Sequence, residues 1–273
     1  MATCWSRKRK LRDVVVKQIT SRDNPLLKEL LKLSASSRQR NKSNQTLLDG
    51  AHLLAAYLDA GFMPCHVLLT ASALHDSEIA GLLQRVKEVP ITQLDDKLFA
   101  ELSELKTPTG ILALIDIPQA DVTAIPSGFA LLLEDIQDPG NLGSMLRSAA
   151  AAGCDAVFLS QGCADAWSPK VLRAGMGGHF VLDIHESSDL HAVAKDFSGD
   201  TYAAALGAKE SLFECKLRGN IAFAIGNEGA GLSAELMKLC QPISIPMPGK
   251  IESLNAAAAT AICLFEAVRQ RSS

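Results

Sequence analysis

The first stretch of the chain that could support chemistry is Asp138–Gly153. Pro139 and Gly140 turn the chain after an apolar run, and Asn141 is suited to cap the helix that follows. Arg147 is the only other charged residue in the stretch, and its neighbours are small or apolar. A guanidinium in these surroundings favours an anionic partner such as a phosphate. A solvated arginine on an ordinary helix is the alternative.

The second stretch, Gly226–Gly231, reads Gly-Asn-Glu-Gly-Ala-Gly. Its glycines would allow a phosphate to approach, but their order differs from the GxGxxG of dinucleotide-binding domains, and the chain contains no GxxxxGK[ST]. Glu228 adds a negative charge, which suits a cationic ligand better than a phosphate. Taken alone, the pattern is also typical of a turn.

The third stretch, Ile245–Asn255, begins Ile-Pro-Met-Pro-Gly and ends Ser-Leu-Asn. Two prolines and a glycine make a stiff loop whose free backbone groups can pair with the edge of a base. Asn255 offers both a donor and an acceptor. Capping of the Ala-rich helix that follows is the simpler role for Ser253 or Asn255.

Apolar runs that alternate with helical stretches predict the elements that carry these loops. After residue 128, strands are expected at Phe129–Glu134, Ala156–Ser160, Phe180–Ile184, Thr201–Leu206, Ile221–Ile225 and Ile243–Ile245, with helices at 142–152, 168–174, 188–197 and 233–240. This alternation predicts a largely parallel sheet covered by helices. Because ligands bind beyond the carboxyl ends of parallel strands, we expect the loops after Ile225 and Ile245 to form one site.

The length of the chain, 273 residues, predicts about two domains. Residues 1–16 are interpreted as a basic tail and 17–116 as a compact α/β domain. Residues 117–128, with two prolines and no clear periodicity, are interpreted as a linker, and 129–273 as the second domain. Within the first domain, a helix with a leucine stripe is expected from Pro25, followed by a polar loop over Ser34–Ser43.

The net charge of −3 conceals an asymmetry. Residues 1–50 hold 12 Lys and Arg against 4 Asp and Glu, so this end of the chain could meet a polyanion, although a solvated tail explains the charge equally well. The seven scattered cysteines form no CxxC, which favours reduced thiols in the cytoplasm over disulfides or a metal site. No apolar run approaches the roughly 20 residues of a membrane span. We therefore expect a cytoplasmic protein without a membrane segment or a metal.

In this order and spacing, the three stretches resemble the motifs of the SpoU (TrmH) family, the S-adenosylmethionine-dependent RNA ribose 2′-O-methyltransferases of the SPOUT superfamily. The residues that carry the resemblance are Asn141–Arg147, Gly226–Leu232, Ile245–Gly249 and Ser253–Asn255. Val171–Phe180 is similar to a fourth shared segment, in which Gly175 and Gly178 replace the usual Ser and Ala. The similarity spans about residues 129–271.

The first domain is similar, more loosely, to the substrate-binding domain of family members that act on ribosomal RNA. Ile19–Pro25, Leu48–His52 and Thr107–Ala113 carry this resemblance, with Asp49 where family members often have Glu. The resemblance implies an α/β protein with a smaller N-terminal substrate-binding domain. It also implies a C-terminal, mostly parallel sheet with a trefoil knot and helices on both faces, and a homodimer.

The resemblance also assigns residues to roles. Asn141, Arg147, Glu228, Ser253 and Asn255 map onto active-site positions. Gly226, Ile245 and Leu254 are expected to hold S-adenosylmethionine through backbone groups, with Leu206 and Met247 in the same site. RNA, most often ribosomal, is the implied substrate, and Arg22, Arg38, Arg40 and Lys42 are expected to contact its phosphates. His52 and His179 are expected to be structural.

In the expected reaction, a protonated Arg147 grips a phosphate and stabilises the developing alkoxide, because an arginine side chain is rarely present as the free base. The general base is left unassigned. Three other interpretations stay open: a transfer-RNA methyltransferase, an RNA-binding protein without catalysis, and a Rossmann dehydrogenase that uses NAD. The glycine order disfavours the dehydrogenase.

Overall fold

The computed structural model describes residues 17–120 and 127–272, so the predicted tail and half of the predicted linker lie outside the described residues. The first domain contains β1 (Lys17–Ile19), α1 (Pro25–Ala35), α2 (Ser37–Ser43), β2 (Gln45–Asp49), α3 (Ala51–Asp59), β3 (His66–Leu69), α4 (Ser77–Arg85), β4 (Ile91–Leu94), α5 (Asp96–Leu102) and β5 (Ile111–Asp116). The second contains β6 (Phe129–Leu133), α6 (Pro139–Ala152), β7 (Ala156–Leu159), α7 (Pro169–Gly175), β8 (Asp183–His185), α8 (Leu190–Asp196), β9 (Asp200–Ala204), β10 (Glu210–Ser211), β11 (Ile221–Ile225), α9 (Ala234–Met237), β12 (Gln241–Ser244) and α10 (Ala256–Arg271).

Each domain is built on one sheet. The first sheet has the order β1-β4-β3-β5-β2, and β5 runs antiparallel to both of its neighbours. The second has the order β10-β12-β9-β11-β6-β7-β8, and its described strand pairs are parallel. The expected α/β class with a mostly parallel C-terminal sheet is confirmed, and the trefoil knot stays a prediction. Because the strands are parallel, the loops that leave β6, β9, β11 and β12 meet at one edge.

Helix α6 shows how the sequence sets the position of the first motif. Asp138, not Asn141 as expected, caps the helix: its carboxylate accepts the Asn141 backbone N–H at 2.7 Å. The apolar side of α6 packs closely on α7, since a Cβ added to Gly143 would lie 2.4 Å from that of Ala174. Gly153, with φ 75°, ends the helix. The cap by Asp138 leaves the Asn141 side chain free for other contacts.

The two domains share buried contacts. One cluster of buried apolar side chains runs from the first domain into the second and includes Leu54 and Leu131. At the junction, the Arg40 Nε donates to Asp165 at 2.8 Å, and Thr46 donates its hydroxyl to the Trp167 carbonyl at 2.7 Å. The first domain therefore holds the loop between β7 and α7 directly.

The structure corrects the type of one predicted element and the start of another. The expected polar loop over Ser34–Ser43 is mostly helix α2, because Ser36 caps its start and Asn44 adopts a left-handed conformation, φ 54°, at its end. The strand expected from Phe180 begins at Asp183, which pairs with Ala156. Before this strand the chain makes a short 3-10 turn, which buries Phe180 with its ring edge-on to the ring of Tyr57.

Within the described residues, no helix is long and apolar enough to cross a membrane. Nor does any group of three or more His, Cys, Asp or Glu side chains in this part of the chain form a metal site.

Candidate active site

A cavity of about 430 Å³ lies beyond the carboxyl ends of β9, β11 and β12. Its walls include most of the residues expected to bind the cofactor or to catalyse: Leu206, Gly226, Glu228, Ile245, Met247, Ser253 and Leu254. These residues belong to three loops far apart in the sequence. The parallel sheet brings them together, as expected from the position of the loops.

The cavity carries little charge. Glu228 is the only acidic or basic side chain in its described lining, and most of the other lining residues are apolar or glycine. A dinucleotide or nucleoside phosphate would meet no lysine or arginine in this lining. A ligand with a cationic centre and an apolar or aromatic body fits these walls better.

Three side chains at the edge of the cavity form a hydrogen-bonded chain of fixed direction. Asn255 accepts the backbone N–H groups of Ala257 and Ala258 at the start of α10, so its amide nitrogen faces outward. That nitrogen donates to the Asn141 Oδ1 at 3.0 Å, and the Asn141 Nδ2 donates to the Glu228 Oε1 at 2.7 Å. One residue from each of the three motifs is thereby joined to the next.

The loop after β11 is closed on itself. The side-chain oxygen of Asn227 accepts hydrogen bonds from the backbone N–H groups of Gly229 and Ala230. Its backbone carbonyl accepts a hydrogen bond from the Gly231 N–H. A Cβ on Gly226 would lie 2.2 Å from the Gly231 carbonyl carbon, so the close approach requires glycine there. These contacts fix the shape of the wall that the loop presents to the cavity.

Two residues at the end of β6 hold this loop, and neither was anticipated. The Glu134 carboxylate accepts the Ser233 backbone N–H at 2.6 Å and the Ser233 hydroxyl at 2.7 Å. Asp135, with φ 56°, turns its carbonyl toward the Asn227 amide, which donates to it at 2.9 Å. The signal in the sequence was the Glu-Asp pair directly after an apolar strand, but the Ser233 partner lies 99 residues away.

Comparison with known proteins agrees with this geometry. The SpoU rRNA methylase family model matches residues 128–265, and the MRM3-like substrate-binding domain model matches residues 14–113. The chain belongs to the SpoU rRNA methylase family. It is 32% identical to an uncharacterised tRNA/rRNA methyltransferase of Synechocystis sp., over 94% of this chain and 95% of that protein.

Two further relatives are a named 23S rRNA methyltransferase and a solved structure with its cofactor. The chain is 32% identical to the 23S rRNA (guanosine(2553)-2′-O)-methyltransferase RlmP of Bacillus subtilis, over 92% of this chain and 98% of that protein. The SpoU methyltransferase AviRb of Streptomyces viridochromogenes, in complex with the cofactor AdoMet, superposes with a TM-score of 0.82 at 28% identity. That alignment covers 92% of this chain and 99% of AviRb.

Arg147 lies outside the described lining of the cavity and outside the hydrogen-bonded chain of Asn141, Glu228 and Asn255. It follows Asn141 by about one and two-thirds helical turns, so the two side chains leave α6 on different faces. Arg147 is exposed, and it does not line the cavity. In the described part of the chain, its guanidinium has no hydrogen-bond or ion-pair partner.

The predicted RNA contacts divide into two groups. Arg38 and Lys42 are exposed on α2, and Arg22 is exposed while paired with Glu101 at 3.0 Å. Arg40 is only 4% exposed, and its guanidinium is taken up by Asp165 and by two carbonyls of α1. The RNA contact predicted for Arg40 is therefore corrected, because a buried and fully paired guanidinium cannot also reach a phosphate. Arg40 joins the two domains.

His179 fills the packing role expected for it. The ring is only 1% exposed, its Nε2 lies 2.9 Å from the Ala166 carbonyl as a donor, and it packs against Trp167. Burial lowers the pKa of His179 to about 4, so the ring is neutral at physiological pH.

A larger cavity of about 600 Å³, lined in part by Asn44 and Glu186, contains none of the predicted site residues.

Proposed function

We propose that this SpoU-family protein transfers a methyl group from S-adenosylmethionine to a ribose 2′-hydroxyl of ribosomal RNA, and that it does so as a homodimer. The observation that carries the proposal is the single cavity formed by the loops after β9, β11 and β12. Asn141, Glu228 and Asn255, one from each motif, are hydrogen-bonded along its edge.

The residues of the cavity fit the methyl donor. Leu206, Gly226, Ile245, Met247 and Leu254 would hold it, since they combine apolar walls with backbone at the ends of strands. Among the described lining residues, no cationic side chain would repel a sulfonium, and one carboxylate would favour it. When bound, S-adenosylmethionine supplies an electrophilic methyl group. The chain's own task is then to align the ribose oxygen, and alignment can lower a barrier by roughly 7–11 kcal/mol.

RNA as the substrate is supported by the relatives and by the first domain. RlmP is named for ribose methylation of 23S rRNA, and the model that matches residues 14–113 is a substrate-binding domain. The exposed cations of α2 are connected to the cavity edge through a series of contacts. Arg40 binds Asp165 in the loop after β7, and Ser160 at the start of that loop binds Asp135. RNA held by α2 would thus lie at a fixed distance from the cavity.

A homodimer is supported by the surfaces of two helices that contact each other, α6 and α10. The outer face of α6 carries small residues around Arg147, and the outer face of α10 exposes Phe265, which is 47% exposed. A face of small and apolar side chains is typical of a subunit interface. A second protomer docked there would supply the arginine that each cavity lacks.

The methyltransferase activity is tested by incubating the protein with tritiated S-adenosylmethionine and unmodified ribosomal or transfer RNA. We expect label to enter ribosomal RNA at a ribose 2′-oxygen, which alkaline hydrolysis followed by nucleoside analysis would locate. Calorimetry should show binding of S-adenosylmethionine and none of NAD. Failure to bind S-adenosylmethionine, or incorporation of label into a base, would refute the proposal.

The homodimer and the shared site are tested by mixing two inactive variants, Arg147→Ala and Asn141→Ala. If Arg147 acts across the interface, a mixed dimer contains one site with both substitutions and one site with neither. The mixture should then regain up to about a quarter of wild-type activity, given random subunit exchange. Light scattering that showed a monomer, or a mixture that stayed inactive after exchange, would refute this part of the proposal.

A further inference from the structure

We infer that the larger cavity, between α2 of the first domain and α8 of the second, binds one unpaired guanine base of the RNA substrate. This α2–α8 cavity has a volume of about 600 Å³, and its described lining includes Asn41, Phe158, Trp167, Glu186 and Val193. None of its described lining residues belongs to the cavity proposed for S-adenosylmethionine. The inference rests on the proposed RNA substrate and concerns which RNA is held, not the transfer of the methyl group.

The first argument is the position of the cavity beside the exposed cations of α2. Asn41 lines the cavity, and Arg38 and Lys42 are exposed on the same helix. Arg38 is three residues from Asn41 and four from Lys42, so the three side chains lie on one side of α2. Phosphates held by these two cations would therefore leave a base next to the mouth of the cavity.

The second argument is the position of the cavity along the second sheet. Its lining includes the loop that leaves the carboxyl end of β8, and β8, β7, β6 and β11 are parallel neighbours in this order. The loop after β8 thus lies at the same edge of the sheet as the proposed methyl-donor cavity after β11. Three strand spacings separate β8 from β11, which is roughly 14 Å. A stretch of unpaired RNA along this edge can reach both cavities.

The third argument is that the lining suits a base and not a phosphate. The described lining contains no lysine or arginine, and the carboxylates of Glu186 and Asp196 repel an anion. Part of the wall is aromatic: Phe158 and His185 stack with their ring centroids 4.6 Å apart, and Trp167 also lines the cavity. Unpaired RNA bases are recognised by stacking on aromatic rings and by hydrogen bonds to their edges.

The hydrogen-bonding groups of the lining favour guanine among the four bases. Glu186 accepts the Ala166 N–H at 3.0 Å through Oε1, and its Oε2 has no hydrogen bond within the described part of the chain. Gln119 donates its amide nitrogen to Asn44 at 2.8 Å, which leaves its Oε1 as a second acceptor. Only guanine has two neighbouring donor groups, N1–H and N2–H2, on its Watson–Crick edge, and a carboxylate can accept from both.

The base preference is tested by fluorescence anisotropy with labelled oligouridylates, in the absence of S-adenosylmethionine. One nucleotide near the middle of the oligomer is uridine, adenosine, inosine or guanosine. We expect the wild type to bind the guanosine oligomer about 10-fold more tightly than the all-uridine oligomer. Inosine, which lacks the N2 amino group, and adenosine should both bind more weakly than guanosine.

The decisive variant is Glu186→Gln, because its oxygen can still accept the Ala166 N–H while an NH2 group replaces Oε2. The guanosine preference should fall to less than about two-fold, and Asn41→Ala should reduce it in part. Glu88→Gln, at an exposed residue after α4, and Gln39→Ala, on the opposite side of α2 from Asn41, are the matched controls. Both controls should keep the preference, and calorimetry should show unchanged S-adenosylmethionine binding in all four variants.

The place of binding is tested with 6-thioguanosine at the guanosine position. Near-ultraviolet light cross-links this base to adjacent side chains, and we expect the cross-linked peptides to contain Trp167 or Glu186. Cross-links confined to residues outside the lining of the α2–α8 cavity would overturn the inference.

The results separate this inference from the proposed function. If the wild type binds the guanosine and uridine oligomers equally, or if Glu186→Gln keeps the preference, the cavity is not a guanine site and the methyltransferase proposal stands. If the preference is present and is lost in Glu186→Gln while the wild type methylates no RNA, the proposed function fails and the cavity remains an RNA-binding site.

Discussion

The cavity edge (Asn141, Glu228 and Asn255) and the domain junction (Arg40 with Asp165) both connect distant parts of the chain through polar side chains. Glu228 and Asn255 at the cavity edge are exposed, whereas Arg40 at the junction is buried. At the cavity edge, each hydrogen bond connects two loops. At the junction, Arg40 is 4% exposed and binds Asp165 in the loop between β7 and α7. His179 of the second domain, 1% exposed, binds the same loop.

The difference in burial decides what each region contributes. Water can replace a lost partner at an exposed group, so the cavity edge can specialise for chemistry with little effect on folding. A buried charge that loses its partner has no such replacement, and its loss is strongly destabilising. The junction should therefore govern the free energy of unfolding, and the cavity edge should govern ligand affinity and turnover.

The largest expected effect is at the junction. Arg40→Met leaves the Asp165 carboxylate, whose side chain is 16% exposed, without its cation. We expect the free energy of unfolding to fall by about 3–5 kcal/mol in a urea titration. Arg38→Met, on the same helix but exposed, should change it by less than about 0.5 kcal/mol. Equal effects of the two variants would mean that burial does not distinguish them.

A slightly smaller effect should appear on acidification. The pKa of His179 is lowered to about 4 in the folded protein, below its unfolded value of 6.5, so burial favours the neutral ring. Its contribution to stability is complete above pH 6.5 and is lost as the pH falls from 6.5 toward 4, in total on the order of 3 kcal/mol. Urea titrations across this range should show a smaller loss for His179→Gln than for the wild type.

The comparison between variants isolates His179 from other titrating groups. Burial raises the pKa of Asp49 and of Glu186, so those carboxyls change stability in the opposite direction on acidification. Both proteins contain them, and their contributions cancel in the difference. Parallel pH profiles for the two proteins would contradict the assignment to His179.

At the cavity edge, we expect ligand affinity to change while stability does not. Glu134→Ala removes both hydrogen bonds to Ser233 and frees the end of the loop that lines the cavity. Calorimetry should show S-adenosylmethionine binding weakened by roughly 10-fold, about 1.4 kcal/mol. Glu134→Gln can keep both hydrogen bonds and should bind nearly as the wild type does. A large fall in the melting temperature of Glu134→Ala would remove the contrast between the two regions.

The smallest expected effect concerns the exposed cations of α2. Replacing Arg38 and Lys42 by Gln should weaken RNA binding a few-fold and reduce the slope of log affinity against log salt by about 0.7 per lost phosphate contact. Filter binding at several salt concentrations would measure both quantities. Lys87→Gln, an exposed lysine after α4, is the control and should leave the slope unchanged.

The sequence alone determined the family, the alternation of strands and helices, and most of the cavity. Gly226, Ile245 and Leu254 were expected together because their motifs resemble those of the SpoU family, and all three line the cavity. Their convergence also followed from the sequence, since the carboxyl ends of parallel strands share one edge of the sheet.

Only the tertiary structure decided which polar residues are paired and with what. Arg40 and Arg38 look alike in the sequence, yet one is buried against Asp165, 125 residues away, and the other is exposed. Glu134 gave no local sign that it holds Ser233, and Asn141 looked like a helix cap until Asp138 was seen to take that place. A side chain's burial and partners depend on contacts between distant segments, and these arise only once the sheets have formed and packed together.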